Sequence, residues 1–460
     1  MSALQLPLHN DLERFCVNPS LEIVSSAWRG LAGLLDRKAC PGQQREPGPE
    51  LVMVWKSPFD RQTYTEAARP ADLAAIKIIL EDRDRYSAAR EAGVTVGAVD
   101  SAIRQAVARG LLLSPPSRIR RPESYWSTTF DESCLSATVF TLQWHITQEC
   151  DLNCLHCYDR SARSRVMLAD GLKILDQLRA FCLSHYIRGQ VSFSGGNPLL
   201  HPDFMTLYRA AAERGLATAL LANPTSSRQL AEIVAVQMPA YFQVSLEGLE
   251  KHNDRIRGSG HFQRTLEFLD IMADLHVPSE VMLTLTRENL DQVLPLGEQL
   301  RNRTGSLTFN RLALFGHGAD LALPEKEDYA SFLSDYLAAM RGNPVLALKD
   351  SLFNCALERG NQELFDGCAG YGCGAAFNFL ALLPDGEVHA CRKFPSAIGS
   401  VVTESLSEIY HSKTAAAYRE GSSACQGCAL RAICRGCPAV TASFGGDPFT
   451  ARDPFCFRNH

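Results

Sequence analysis

Gln148-Glu149-Cys150-Asp151-Leu152-Asn153-Cys154-Leu155-His156-Cys157-Tyr158 follows an apolar run over 139–146 that reads as a β-strand. The cysteines are spaced C-x3-C-x2-C. Three thiolates on so short a loop can hold three corners of a [4Fe–4S] cube and leave the fourth iron to a ligand from outside the protein. Zinc is the competing occupant, but a structural zinc ordinarily takes four closed ligands. No fourth cysteine or well-spaced histidine follows, and His156, inside the loop, is too tightly spaced to close such a site.

Downstream of the loop, strand-like and helix-like segments alternate with short links. Strands are expected over 190–194, 217–221, 241–246, 280–285 and 306–314, and helices over 167–185, 202–214, 228–237, 261–275 and 288–303. With the first strand this makes six β/α units, hence a parallel sheet. Such a sheet curls into a partial barrel with its chemistry at the C-terminal strand ends. The cysteine loop lies at one of these ends. So do Ser194-Gly195-Gly196-Asn197-Pro198, Ala222-Asn223-Pro224-Thr225 and Ser245-Leu246-Glu247-Gly248. By itself a Gly-Gly-x-Pro is a turn; its place one unit after the cysteines gives it weight.

Length and composition bound the rest. The 460 residues leave room for two or three domains, and 46% hydrophobic with 21% charged residues is ordinary for a soluble protein. A net charge of −5 gives no bulk electrostatic case for nucleic acid or membrane. Residues 1–15 lack a basic start followed by an apolar core, so no secretory signal is expected, and no apolar run is long enough to span a bilayer. Sixteen cysteines without a secretory signal point to metal or cluster ligation in the cytoplasm rather than to disulfides.

Nine cysteines crowd the last third. Cys355 stands apart from Cys368, Cys373, Cys391, Cys425, Cys428, Cys434, Cys437 and Cys456. Those eight can make two four-cysteine sites, for which zinc is a serious rival to iron–sulfur because paired C-x2-C units also bind zinc. Pro384-Asp385-Gly386 between apolar segments 379–383 and 387–390 signals a hairpin. Of the remaining cysteines, Cys182 reads as core, and Cys134 and Cys355 are the two worth testing for a role toward substrate.

The cysteine loop resembles that of the radical S-adenosylmethionine (radical SAM) family. The resemblance implies that the open iron chelates the methionine amino and carboxylate groups of SAM, and that reductive cleavage yields a 5′-deoxyadenosyl radical. Gly195-Gly196-Asn197-Pro198 is similar to the family's Gly-Gly-Glu-Pro. Its glycines would let backbone approach the methionine end of SAM. Asn197 would accept from the amino group without the charge assistance of a carboxylate. Asn223 stands in a stretch similar to Thr-Asn-Gly-Thr, from which Pro224 departs. Ser245 and Glu247 match Ser-x-Asp-Gly and would reach SAM ribose or substrate hydroxyls. The stretch from His252 to Phe262 also matches a recurring family segment. Arg311 would face the SAM carboxylate, unless it forms a salt bridge at its strand end.

The C-terminal spacings resemble the SPASM extension of radical SAM peptide maturases. That likeness implies a first auxiliary [4Fe–4S] cluster on Cys368, Cys373, Cys391 and Cys437, and a second on Cys425, Cys428, Cys434 and Cys456. The x2 between Cys434 and Cys437 is one shorter than the usual x3, which leaves the pairing there open. The auxiliary clusters would carry away the electron left by hydrogen abstraction, and cluster potentials spanning roughly −700 to +450 mV permit such a relay. Sulfatase maturases of this class carry an Asp base directly after the cysteine at the Cys391 position. Here that residue is Arg392, which argues against their reaction by that base.

Residues 1–125 complete the picture. Helix-like segments over 8–16 and 21–35 precede a Pro/Gly-rich linker over 41–49. A strand over 51–55 turns at Ser57-Pro58-Phe59-Asp60 and returns over 62–65. Helical periodicity then runs over 73–80, 86–92 and 96–109, with helix-turn-helix spacing around Gly93. This resembles the winged-helix domain of peptide-modifying enzymes, in which a leader peptide adds a strand to the sheet edge. DNA binding is the competing reading, but the second helix offers only Arg104 and Arg109 as cations and Asp100 opposes them.

The expected architecture is therefore α/β. Residues 1–125 form a winged-helix-like leader-recognition domain, 126–345 a partial (β/α)6 radical SAM barrel, and 346–460 a SPASM domain with two auxiliary clusters. The expected activity is radical SAM modification of a ribosomally made precursor peptide, forming a thioether, a carbon–carbon crosslink or a related oxidative product, with an electron donor such as flavodoxin or ferredoxin. The domain order is also similar to that of a maturase group labelled selenobiotic, though no residue establishes that link. Maturation of a larger protein partner is the first alternative, and an iron–sulfur redox sensor that binds DNA is the second.

Overall fold

The run before the cysteine loop is strand β1, Val139–Thr147, in which Phe140, Leu142 and every residue from Trp144 to Thr147 are buried. Successive buried residues point to opposite faces, so the C-terminal half of this strand lies in a sheet covered on both faces. Five parallel neighbours follow: β2, Arg188–Gly195; β3, Ala217–Leu221; β4, Phe242–Ser245; β5, Ser279–Leu285; and β6, Ser306–Arg311. They lie in chain order, with crossover helices that include Leu168–Ser184, Phe204–Glu213, Ser227–Val236 and His261–Asp274. Ile174, Leu175 and Leu178 on the first of these helices join Leu142, Val191 and Phe193 of the strands in one core. Every strand therefore delivers its C-terminal end, and the loop after it, to the same edge.

The computed structural model describes residues 12–35, 46–125, 134–367 and 369–458. The chain divides into two compact units, Met1–Ser117 with Glu213–Gly215, and Arg118–Ala212 with Leu216–His460. The first boundary thus falls at 117/118 rather than 125/126. Ile119 and Tyr125 belong to the core of the second unit, and the Tyr125 hydroxyl donates to the Glu420 carbonyl at 2.8 Å.

The C-terminal third is not a separate body. Strand β7, Phe379–Leu382, pairs parallel to β1, and β8, Glu387–His389, and β9, Ala397–Ser400, continue antiparallel. Among the described residues the result is one open nine-stranded sheet, ordered β6-β5-β4-β3-β2-β1-β7-β8-β9. The Pro-Asp-Gly turn joins β7 to β8, and Gly386 takes φ +91° there, a conformation that costs glycine little.

Two barrel helices differ from expectation. The segment expected as a helix over 288–303 is a 3-10 turn, Arg287–Gln292, followed by the helix Val293–Leu300. Pro295 lacks an N–H and is tolerated only in a first turn, which fixes the start. The helix Glu250–Arg257 was not expected, because Ile256 is its one apolar residue and no periodicity marks it.

The first unit holds a three-stranded antiparallel sheet, ordered Glu22–Arg29, Glu46–Lys56, Thr63–Ala67, followed by helices Pro70–Leu80, Arg85–Ala92 and Val96–Ala108. The helix expected over 21–35 is instead the strand Glu22–Arg29 and a short helix, Leu31–Leu35. Ile23, Val24 and Trp28 favour the extended ladder with Glu46–Lys56, which also absorbs the described part of the expected linker. Of the segment expected as a helix over 8–16, residues 8–11 lie outside the described residues, 12–15 are not helical, and Cys16–Val17 is a strand paired with Leu112–Leu113. The helix-turn-helix is capped as its sequence requires: Asp84 accepts from Ser87 N–H, Thr95 accepts from Ala98 N–H, and Gly93 closes the first helix at φ +65°. Arg109 is committed inward, with 2.5 Å contacts to both Glu66 and Asp72. Among the described residues no helix is long and apolar enough to cross a membrane.

Candidate active site and cluster sites

The cysteine loop leaves β1 at Thr147 and is laced to the loop after β2. Gly196 N–H donates to Thr147 O at 2.8 Å and Asn197 N–H to Glu149 O at 2.7 Å. The approach is too close for any side chain. A Cβ on Gly195 (φ +141°) would lie 2.2 Å from Thr147 O, and one on Gly196 would lie 2.2 Å from Glu149 O. Cys150 is exposed, and Cys154 and Cys157 are half-buried. All three line a cavity of about 390 Å³, with Gly195, Gly196 and Ser245.

Asn197 does not face this cavity. It is buried, its Oδ1 accepts from Leu199 N–H at 3.2 Å, and its amide donates to Asp151 at 3.0 Å. The expected role toward the SAM amino group is corrected accordingly, since both ends of this amide are spent on the Pro198–Leu200 turn and the cysteine loop. Asn223 does line the cavity; its amide donates to Asp151 at 2.6 Å and lies 3.7 Å from Cys150 Sγ.

Glu247 also departs from expectation. Its carboxylate is 1% exposed, accepts from Arg257 Nε and Nη2 at 2.8 and 2.6 Å and from Thr284 N–H at 2.7 Å, and lies 3.5 Å from His156 Nε2. Burial opposes its charge, but His156, Arg257 and these donors hold its pKa below the usual carboxylate value. Glu247 therefore orients Arg257 instead of reaching a ribose. The Arg257 guanidinium lines the cavity with Nη1 3.8 Å from Cys154 Sγ, which puts a fixed cation beside the cysteine loop. Burial, opposed by Glu247 but reinforced by Arg257, pushes the His156 pKa down to about 4, so this imidazole is neutral near pH 7.

Arg311 follows the salt-bridge alternative. Its side chain is 1% exposed, with Nε 2.7 Å from Asp350 and Nη1 and Nη2 2.9 and 2.7 Å from Asp453. Its donors are spent on two buried carboxylates, so the expected contact to a SAM carboxylate is corrected.

The C-terminal cysteines fall into two places. Cys373, Cys391 and Cys437 line a second cavity of about 310 Å³, which adjoins the first through Gln243, Asn310, Arg392 and Lys393. Cys368, their expected fourth partner, lies outside the described residues. Arg121 and Arg435 both donate to the Cys373 carbonyl, at 2.6 and 3.3 Å. Cys425, Cys428, Cys434 and Cys456 line a third, much smaller cavity together with Cys355, Arg431, Arg435 and Arg458. Arg458 Nη1 lies 2.9 Å from Cys428 Sγ. The buried Nε atoms of Arg431 and Arg435 find no acceptor among the described residues. Among those residues, no three His, Cys, Asp or Glu side chains converge on a single-ion site.

This donor set suits iron–sulfur clusters. Thiolate-ligated clusters are anionic, and the guanidinium groups beside the first and third cavities supply compensating charge, with unspent Nε–H donors on Arg431 and Arg435 at the third. Residues 144–300 match the radical SAM superfamily, and 373–438 match SPASM, an iron–sulfur cluster-binding domain. The chain carries a radical SAM domain and a SPASM domain. It holds a [4Fe–4S] cluster and SAM in the first domain and auxiliary iron–sulfur clusters in the second, which overturns the zinc alternative.

Relatives of this radical SAM/SPASM chain include the mycofactocin maturase MftC of Mycobacterium ulcerans, 28% identical over 69% of this chain and 88% of that protein. An AdoMet-dependent heme synthase of Methanosarcina barkeri is 24% identical over 68% of this chain and 95% of that protein. Among solved structures, Streptococcus suis SuiB bound to precursor peptide SuiA shares the fold with a TM-score of 0.56 at 15% identity, covering 89% of this chain and 96% of that one.

Sequence reasoning missed two residues that the structure places at these sites. Arg257 sits in a family-like stretch, but its role depends on an ion pair across a loop. Cys355 was set apart by its spacing, and only tertiary packing brings it to the third cavity.

Proposed function

We propose that this chain is a peptide maturase of the radical SAM/SPASM family, acting in the cytoplasm on a ribosomally made precursor. The relatives include both a peptide maturase and an enzyme named for haem synthesis, so the substrate class rests on the first unit. Its sheet has an outer strand, Glu22–Arg29, with one edge unpaired among the described residues. Ile23, Val24 and Trp28 on that strand are 43%, 51% and 49% exposed. An extended leader peptide can add to such an edge through main-chain hydrogen bonds, with the exposed side chains giving preference. This observation carries the reading.

Cys150, Cys154 and Cys157 would hold the SAM-binding cluster. Bound there, cluster and SAM supply, on reduction, a 5′-deoxyadenosyl radical that removes a hydrogen atom from the peptide. The protein's own part is placement. Gly195 and Gly196 keep the cavity wall free of side chains, Asn223 steadies Asp151 in the cysteine loop, and Ser245 offers a hydroxyl. Arg257, held by Glu247, offers the cation for a carboxylate. Cys368, Cys373, Cys391 and Cys437 would hold the first auxiliary cluster, and Cys425, Cys428, Cys434 and Cys456 the second, for oxidation of the substrate radical. Arg392 stands between the first two cavities with Nη1 3.1 Å from Ser194 Oγ, so this position carries a cation and no base. A flavodoxin or ferredoxin would supply the initiating electron.

The test combines anaerobic holoenzyme, SAM, dithionite and the product of a small gene adjacent to this one. The expected result is 5′-deoxyadenosine together with a peptide lighter by two hydrogen atoms. If 5′-deoxyadenosine forms while no adjacent small peptide changes mass, the substrate is a larger protein or a small molecule. The DNA-binding alternative requires a gel shift with steep salt dependence, and the ion pairs at Arg109 count against it.

A further inference from the structure

The first two cavities meet at a passage bordered by polar side chains: Gln243 of β4, Asn310 of β6, and Arg392 and Lys393 just after Cys391. Charge around the passage is one-sided. Among the described residues, the carboxylates lining the two cavities are Asp159 and Asp350. Asp159 is held by Gln148 and Ser161 and lies 3.7 Å from Arg163, and Asp350 is paired with Arg311 at 2.7 Å. Arg257 is in turn paired with Glu247 at 2.6 Å. No carboxylate of a described residue lies within ion-pair distance of Arg392 or Lys393.

The backbone of Arg392 adjoins Cys391, on the side of the first auxiliary cluster, yet its guanidinium reaches the SAM side. Nη1 donates to Ser194 Oγ at 3.1 Å, and the group lies 5.8 Å from the centroid of the Tyr158 ring. That is its one hydrogen bond among the described residues, so most of its N–H fork is unspent. Lys393 makes one long contact, Nζ to Arg311 O at 3.5 Å. A planar guanidinium with free N–H groups fits a carboxylate in bidentate fashion, and an ammonium on the next residue adds attraction. We propose that Arg392, supported by Lys393, binds a carboxylate of the substrate peptide where that chain passes from the first cavity to the second. The inference rests on the peptide-maturase reading and narrows its substrate class. The peptide carries an acidic side chain, or its free C-terminal carboxylate, close to the residue that loses hydrogen. The carboxylate of SAM has its own cation in Arg257.

The experiment titrates anaerobic full-length holoenzyme, saturated with SAM, with synthetic pentapeptides and reads each Kd by saturation-transfer NMR. One pair is acetyl-Gly-Gly-Glu-Gly-Gly-amide and its Gln counterpart; the other is acetyl-pentaglycine with a free C-terminus and its amide. In at least one pair the acid should bind about 10- to 100-fold tighter than its neutral counterpart, and the pair that does so tells side chain from chain end. Arg392→Gln should erase this preference and Arg392→Lys should keep part of it, each with about twelve irons. Equal binding of acid and neutral peptide in both pairs would overturn the proposal, and this wild-type comparison depends on no variant. Acid binding that appears only when SAM is omitted would make Arg392 a contact of the SAM carboxylate and overturn it too. A preference that survives in Arg392→Gln, with the midpoint of an auxiliary cluster shifted, would assign the charge of Arg392 to the cluster instead. Succinate, titrated alongside, separates this failure from that of the maturase reading: binding of succinate that depends on Arg392, with none of either peptide acid, would keep a carboxylate site and reject the peptide as its occupant.

Discussion

Replacing Arg311 by Met separates two accounts of the same residue. In the structure its guanidinium is dry and bonds Asp350 and Asp453, whose side chains are 9% and 1% exposed. Burial works against its charge, yet the two carboxylates hold its pKa well above the ordinary arginine value. Removing the cation strands both carboxylates, and breaking a buried pair in this way costs about 3–5 kcal/mol. For a unit of this size that corresponds to a fall of about 10 °C in Tm. The damage should also have a direction. Asp453 accepts from Cys437 N–H at 2.8 Å and from Phe455 N–H at 3.0 Å, so it anchors segments of both auxiliary sites. Arg311→Met should therefore lose auxiliary-cluster iron, measured by Mössbauer spectroscopy, while the SAM-binding cluster remains and SAM affinity changes little. A variant with normal stability and full auxiliary iron but weakened SAM binding would refute this reasoning and restore the expected contact to the SAM carboxylate.

Three further outcomes follow from the same geometry. Gly196→Ala puts a Cβ 2.2 Å from Glu149 O and 2.6 Å from Gln148 O, so it should displace the cysteine loop; reconstituted protein should lose about four irons and keep the auxiliary eight. Glu247→Gln weakens the charged hydrogen bonds that hold Arg257, worth about 1.5–3 kcal/mol, and should raise the SAM Kd about 10- to 100-fold in an equilibrium titration with iron content unchanged. Burial, reinforced by Arg392, depresses the His145 pKa from 6.5 to about 3. The unfolded chain therefore takes up this proton first as pH falls, so the contribution is intact above pH 6.5 and erodes between there and about pH 3. At about pH 5 this costs roughly 2 kcal/mol relative to neutral pH, and denaturant titrations of His145→Gln should show a correspondingly shallower dependence.

The barrel was legible because its signals are local. An apolar run before C-x3-C-x2-C, glycines one β/α unit later and a Pro-Asp-Gly turn each act within a few residues. What was not legible depends on partners far away in the chain. Arg311 meets Asp453 across 142 residues, and Asn197 meets Asp151 across 46, and nothing in either local stretch announces the pairing. The helix that presents Arg257 is almost wholly polar, so periodicity could not find it. The strand Glu22–Arg29 failed in the opposite sense. Only Ser26 along it is even half-buried, so neither period is written in its burial, and the ladder with Glu46–Lys56 decides its conformation. Cys355 had no partner by spacing; a short helix docked on two separate segments brings it to the third cavity.

The most direct test of the account is SAM cleavage by the anaerobic holoenzyme after dithionite reduction, set beside the Cys150→Ala, Cys154→Ala, Cys157→Ala triple variant. The account predicts 5′-deoxyadenosine from wild type with about twelve irons, and no product from a variant that retains about eight. Product from the triple variant, or none from a wild type with its full iron complement, would contradict it.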